Sequence, residues 1–252
     1  MASDSKRMDC NVRDILLLST STLHGGRFLE YAESDIASFL AGRSEVLFVP
    51  YARPGGMTHD AYSELVRRRF EDIGLRLRAL HETADPVAAV GDAEAVFVGG
   101  GNTFVLLREL CETGVSGCLR ERALEGMPYM GSSAGSNLAG LTIGTTNDMP
   151  IVEPPGLAAL GLLPFNINPH YLDPDPGSTH MGETRETRIR EFHHFNPQPV
   201  LGLREGAMLR VRGSEARVLG TRGGRLFRSG AEPVELEPGA DVSFLLDGAP
   251  SS

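Results

Sequence analysis

From Val12 to Leu203 short apolar segments alternate with stretches of helical spacing, and this alternation narrows the chain to one broad architecture. Ile15–Leu18, Val46–Val49, Leu75–Leu80, Ala95–Val98 and Tyr129–Met130 read as strands. Phe28–Leu40, Asp60–Ile73 and Thr103–Thr113 carry the three-to-four-residue apolar spacing of helices, with charged residues on their outer sides. Strands that are apolar throughout are buried on both faces. Strand–helix alternation of this kind therefore predicts an α/β fold, a mainly parallel sheet flanked by helices. Ligands in such folds sit beyond the carboxyl ends of the strands.

The last part of the chain changes character. Ala207–Arg212, Ala216–Leu219 and Gly224–Arg228 alternate apolar and polar residues between glycine-rich turns, which predicts antiparallel hairpins; a final strand is expected at Val242–Leu246. A length of 252 residues suits one large domain. The reading is a single α/β domain over 12–247, with the hairpin extension at about 206–247 and short tails at 1–11 and 248–252.

Composition removes several kinds of function. A net charge of −9 disfavours nucleic acid and anionic membrane as partners. No apolar run approaches membrane-spanning length, and the first residues lack the apolar stretch of a signal peptide, so a cytoplasmic protein is expected. Lys6 is the sole lysine and sits in the tail, which argues against a Schiff-base, pyridoxal-phosphate or P-loop lysine. Cys10, Cys111 and Cys118 form no C-x-x-C pair, so neither a metal knuckle nor a disulfide framework is indicated; Cys111 and Cys118 are expected as buried thiols on one face of one helix. No metal and no cofactor is expected.

The strongest local signal is Gly131-Ser132-Ser133-Ala134-Gly135, a G-x-S-x-G between a strand and a helix expected at Ser136–Leu141. A serine on so sharp a turn occupies strained backbone, and glycines two residues to either side let strand and helix pass closely. The amide of Ala134 can then face a developing oxyanion. Val98-Gly-Gly-Gly-Asn-Thr at 98–103 fits neither dinucleotide nor P-loop glycine patterns and reads as an oxyanion loop lending the amide of Gly100 or Gly101. Asn102 is a candidate substrate contact as well as a helix cap.

A serine nucleophile needs a base and an acid that orients it. Among seven histidines His170 is singled out, because Phe165–Tyr171 places it just past a short apolar strand. His24, His59 and His81 fit solvated or capping roles, His193 and His194 a helix surface, and His180 a structural pair with Glu183. For the acid, Glu205 after the strand at Leu201–Leu203 and Asp148 in Thr145–Pro150 both remain open.

These segments together resemble peptidase E, the aspartyl dipeptidase family S51 of serine peptidases. The resemblance rests on Leu16–Leu23, Val98–Phe104, Gly131–Asn137, Thr145–Val152, Ile167–His170, Gly182–Glu186 and Leu203–Gly206. It implies a glutamine amidotransferase-like three-layer sandwich, and hydrolysis of Asp-X dipeptides with Ser133 as nucleophile, His170 as base and Glu205 as acid, Asp148 standing second. It also implies oxyanion donors at Gly101 and Ala134, and at least a homodimer. Ser132, Tyr171 and the loop after Tyr171 depart from the family pattern beside the expected pocket. With no lysine in the fold, a substrate carboxylate must meet arginine, and Arg185 is the candidate; a pairing of Arg185 with Glu183 or Glu186 is the simpler alternative. A cyanophycinase-like or broader peptidase and a non-catalytic amidotransferase-like binding module are the competing readings.

Overall fold

A computed structural model describes residues 13–174 and 182–247. The expected tails, Lys6, Cys10 and His180 lie outside the described residues.

Seven strands form the main sheet, in the order β3-β2-β4-β5-β1-β8-β9. These are β1 (Asp14–Leu18), β2 (Glu45–Val49), β3 (Arg76–Ala79), β4 (Val96–Val98), β5 (Tyr129–Ser132), β8 (Ala207–Arg212) and β9 (Glu215–Gly220). The first five in spatial order are parallel; β8 runs antiparallel to β1, and β9 antiparallel to β8. Ile15, Leu16, Leu17 and Leu18 are all fully buried, as their uninterrupted apolar character requires. Successive residues feed opposite cores. Ile15, Leu17, Leu47, Val96 and Tyr129 face one cluster, while Leu16, Leu18, Val46, Phe97 and Met130 face the other.

Helices cover both faces. On one side lie α1 (Glu33–Phe39) and α2 (His59–Asp72), whose Tyr62, Val66 and Phe70 recur at helical spacing against Phe48 and Phe97. On the other lie α3 (Pro86–Gly91), α4 (Thr103–Glu112), α5 (Val115–Leu124) and α6 (Ala134–Asn137). The same side carries a four-stranded sheet in the order β11-β10-β7-β6, made of β6 (Asn166–Tyr171), β7 (Val200–Arg204), β10 (Gly224–Phe227) and β11 (Val234–Leu236). Ile167, Leu201, Leu203, Leu226 and Leu236 join it to the main core. The last helix, α7 (Arg185–Phe192), buries Ile189 with Tyr171, Val200 and Phe227.

Three local expectations are corrected. Cys111 and Cys118 fall on different helices, α4 and α5, because Gly114 at φ 71° breaks the chain between them; both thiols are free and only partly buried. Val242–Leu246 is no strand: Ser243–Leu246 is a 3₁₀ turn, started by Asp241 Oδ1 accepting from the Ser243 amide at 2.9 Å. Of the C-terminal strands, β8 and β9 are a hairpin on the edge of the main sheet, whereas β10 and β11 belong to the second sheet.

Candidate active site

The carboxyl ends of β1, β4, β5, β6 and β7 converge on one region. The turn after β5 is the sharp elbow the glycine spacing predicts. Ser133 holds φ 53° and ψ −110°, a conformation L-residues avoid, fixed by its amide donating to the Leu18 carbonyl at 3.0 Å. Both elbow glycines are sterically required. A Cβ on Gly131 would lie 2.5 Å from the Gly135 carbonyl oxygen, and one on Gly135 would lie 2.2 Å from that of Val98. The helix behind the elbow is shorter than expected, Ala134–Asn137, and supplies little dipole.

His170 also sits at positive φ, 54°. Its Nε2 lies 2.9 Å from Ser133 Oγ, and its Nδ1 lies 2.8 Å from Glu205 Oε1. An ionised carboxylate only accepts, so Nδ1–H donates to Glu205 and Nε2 is left to accept the serine proton. The side chains of His170 and Glu205 are 35% and 48% exposed, so a small substrate can reach them from solvent.

Asp148 is turned elsewhere. Its Oδ2 accepts from the Thr103 amide at 2.8 Å, from Thr103 Oγ1 at 2.6 Å and from Thr146 Oγ1 at 3.0 Å, binding it to the start of α4. Between the two acids left open by the sequence, the structure brings Glu205 to the histidine.

The glycine loop after β4 divides its amides. The Gly100 amide donates to the buried Tyr62 hydroxyl at 3.0 Å, so it is not available to an oxyanion. Among the described residues the amides of Gly101 and Ala134 have no acceptor. Gly101 takes φ 148°, and a Cβ there would lie 2.1 Å from the Ala52 carbonyl oxygen. Gly100 matters sterically instead, since its Cβ would come within 3.0 Å of Ser133 Cβ. Asn102 caps α4: Oδ1 accepts from the Phe104 and Val105 amides at 3.0 and 3.1 Å, and Nδ2 donates to the Met149 carbonyl at 2.9 Å. This fixes its side chain in the scaffold at the start of α4.

Arg185 opens α7, partly buried, and among the described residues it has no carboxylate within 4.0 Å; Glu183 pairs with Arg188 and Glu186 with Arg190. Burial, and then the charge of Arg188, push its pKa down, with Asp148 opposing. Ser132 and Tyr171, expected beside the pocket, are 0% and 1% exposed and pack inward. Asp60, His81 and Glu82 hold ligand-type atoms within 4.8 Å of one another: His81 Nε2 lies 2.8 Å from Asp60 Oδ1, Arg67 Nη2 donates to both Glu82 oxygens at 3.1 and 3.2 Å, and the buried His81 Nδ1 has no partner among the described residues.

A strained serine on a strand–turn–helix elbow, a histidine within hydrogen-bond reach and a carboxylate behind it define a serine hydrolase on an α/β scaffold. The model of peptidase family S51 matches residues 15–219. Peptidase E of Streptomyces coelicolor is 54% identical over 93% of this chain and 95% of its own length. A probable alpha-aspartyl dipeptidase of Drosophila melanogaster is 49% identical over 94% and 98%. In fold the chain is similar to a putative peptidase E from Listeria monocytogenes, with TM-score 0.63 and 22% identity over 82% of this chain and 98% of that one. A peptidase from an acI-B1 actinobacterium gives TM-score 0.69 and 17% identity over 94% and 98%. The chain belongs to peptidase family S51 and is a serine peptidase.

Proposed function

We propose that the chain hydrolyses Asp-X dipeptides through an acyl-enzyme on Ser133. The observation that carries this reading is the unbroken path Ser133 Oγ, His170 Nε2, His170 Nδ1, Glu205 Oε1, with links of 2.9 and 2.8 Å across its two hydrogen bonds. The proposed aspartyl preference is supported by the activity named for the Drosophila relative and by Arg185, which is partly buried and has no carboxylate within 4.0 Å among the described residues.

As Ser133 Oγ attacks the scissile carbonyl, its proton passes to His170 Nε2 and the carbonyl electrons move onto oxygen. The amides of Gly101 and Ala134 meet that oxyanion, and Glu205 holds the imidazolium in place. Collapse breaks the C–N bond; the leaving amine of X takes the proton from His170. A water then repeats the attack with His170 again as base, and aspartate leaves. The substrate side-chain carboxylate is paired by the Arg185 guanidinium, whose partly buried position makes an added negative charge favourable. Neutral Asn-X and Ala-X dipeptides lack that partner.

The test compares Asp-X, Asn-X and Ala-X hydrolysis by the wild type and Arg185→Ala. Loss of the aspartate advantage in a folded variant supports the assignment, and unchanged Asp-X kinetics overturn it. Turnover of a β-Asp-Arg polymer in preference to dipeptides would favour the cyanophycinase-like alternative.

We further propose that residues 12–247 act as one unit, a reading supported by a core cluster running from Ile15 to Leu246. A cytoplasmic homo-oligomer, at least a dimer, completes the proposal. The free thiols Cys111 and Cys118 suit a reducing compartment, and Met149, Ile151 and Leu157 form an exposed apolar stretch suited to self-association. No helix among the described residues is long and apolar enough to cross a membrane.

A further inference from the structure

The strand that carries His170 is irregular at that residue. Asn168 pairs with Gly202 and Tyr171 with Arg204, so Pro169 and His170 together oppose Leu203 alone. This is a β-bulge, and bulges re-aim side chains at the cost of ladder hydrogen bonds. Pro169 has no amide to donate, and His170 adopts φ 54°. A non-glycine residue there is strained and, left to itself, would relax toward an ordinary conformation, carrying its ring out of line.

Two side chains from distant parts of the sequence hold it. The peptide group between Pro169 and His170 has two polar atoms, and each has its own side-chain partner. The His170 amide donates to Ser19 Oγ at 2.9 Å, and the Pro169 carbonyl accepts from Asn147 Nδ2 at 2.7 Å. Ser19 in turn donates to the Leu203 carbonyl at 2.8 Å. Its hydroxyl is thus inserted between two strands where a direct ladder bond is missing, and it ties the histidine's strand to β7, whose end precedes Glu205. Asn147 is fixed by accepting from Asn168 Nδ2 at 3.0 Å. Ser19 is fully buried at the end of β1, next to Leu18, whose carbonyl accepts the Ser133 amide. One strand end therefore places the nucleophile and the base together.

We infer that Ser19 and Asn147 are positioning residues that clamp the Pro169–His170 peptide from both ends and so aim the imidazole between Ser133 and Glu205. The inference rests on the Ser133–His170–Glu205 reading above. Ser19 is fully buried, and both residues grip the site through the histidine's own peptide group. A displacement of about 1 Å in such a group is enough to cost roughly 10² in rate.

The experiment measures kcat and KM on aspartyl-p-nitroanilide for Ser19→Ala, Ser19→Thr, Asn147→Ala, the double alanine variant and Ser133→Ala, with the downfield proton resonance of His170 Nδ1–H read in each. Expected are about 10- to 100-fold losses in kcat for each single alanine variant with KM within about twofold, and partial recovery in Ser19→Thr, which keeps the hydroxyl. The double variant loses less than the product of the singles, because both grip one peptide. The Nδ1–H resonance weakens in the clamp variants and persists in Ser133→Ala. Because Ser19 is buried and its alanine variant can fail to fold, Asn147→Ala, on a partly exposed loop, carries the test alone if needed. An inactive Ser133→Ala beside unchanged kcat and resonance in folded clamp variants overturns the clamp. Turnover surviving in Ser133→Ala overturns the triad reading and the clamp with it.

Discussion

Replacing Gly135 with alanine would put a Cβ 2.2 Å from the Val98 carbonyl oxygen and 2.9 Å from its carbon. Real Cβ contacts essentially never fall below 3.0 Å, so elbow and β4 must separate by roughly 0.8 Å. The obstacle is main chain at the end of a fully buried strand, and no side-chain rotation relieves it. Overpacking of this kind costs about 1–3 kcal/mol, which at about 2–4 °C per kcal/mol for a chain of this size lowers Tm by roughly 2–12 °C. The displacement also carries the Ala134 amide and Ser133 away from the histidine, so kcat should fall by about 10² while KM moves little. Thermal unfolding and initial rates on an Asp-X dipeptide read the two effects separately. Gly117→Ala is the matched control: it lies within α5 with nothing within 4 Å of the added carbon, and it should gain about 0.5–1 kcal/mol with kcat unchanged. A Gly135→Ala variant with wild-type Tm and kcat would refute the claim that close backbone passage sets the nucleophile.

Other expectations follow from the same geometry. Glu205→Gln removes the charge behind His170 and should lower kcat by up to about 10⁴, with Tm nearly unchanged because the side chain is half exposed; steady-state rates and melting curves check both. Asp148→Asn weakens the anchor at the start of α4 and should cost about 1 kcal/mol, read in chemical denaturation. Arg204 hydrogen bonds hold the Asp173 carboxyl below the usual carboxylate range, at 2.7 and 2.8 Å. A depressed folded-state pKa contributes stability above the unfolded value near 3.8 that disappears as pH falls through the folded value. The Tm difference between wild type and Asp173→Asn should therefore be constant above about pH 5 and shrink toward zero in stronger acid.

Strands β1, β2, β4 and β5 and the elbow were legible because their signals are local: uninterrupted apolar runs, and glycines at fixed offsets from a serine. Helix α4 was legible through its apolar spacing and its Asn102 cap. Short α3 has Asp85 and Pro86 marking its start, but its six mostly apolar residues show no helical period. The break between α4 and α5 was written in Gly114 but masked by continuous helical spacing around it. Ser243–Leu246 has the composition of a strand, but the Asp241–Ser243 hydrogen bonds and the Leu245 amide donating to the Val242 carbonyl at 3.0 Å hold it as a 3₁₀ segment.

The site shows the same division. Ser133, His170 and Glu205 each follow a recognisable strand, but the choice of Glu205 over Asp148 depends on where Asp148 finds its partners, 45 residues away at Thr103. That Gly100 gives its amide to Tyr62, 38 residues earlier, leaves no trace in the glycine run. Positive φ at His170 is equally silent, since nothing in its side chain demands it. Ser19 lies 151 residues from the amide it binds, and only tertiary structure joins them.

The most direct test of the central claim is initial-rate measurement on Asp-X dipeptides and a panel of Xaa-p-nitroanilides, with wild type and Ser133→Ala run together. Turnover is expected only with N-terminal aspartate in the wild type, and reduced by several orders of magnitude in the variant. Asp-X turnover by folded Ser133→Ala at the wild-type rate would contradict it.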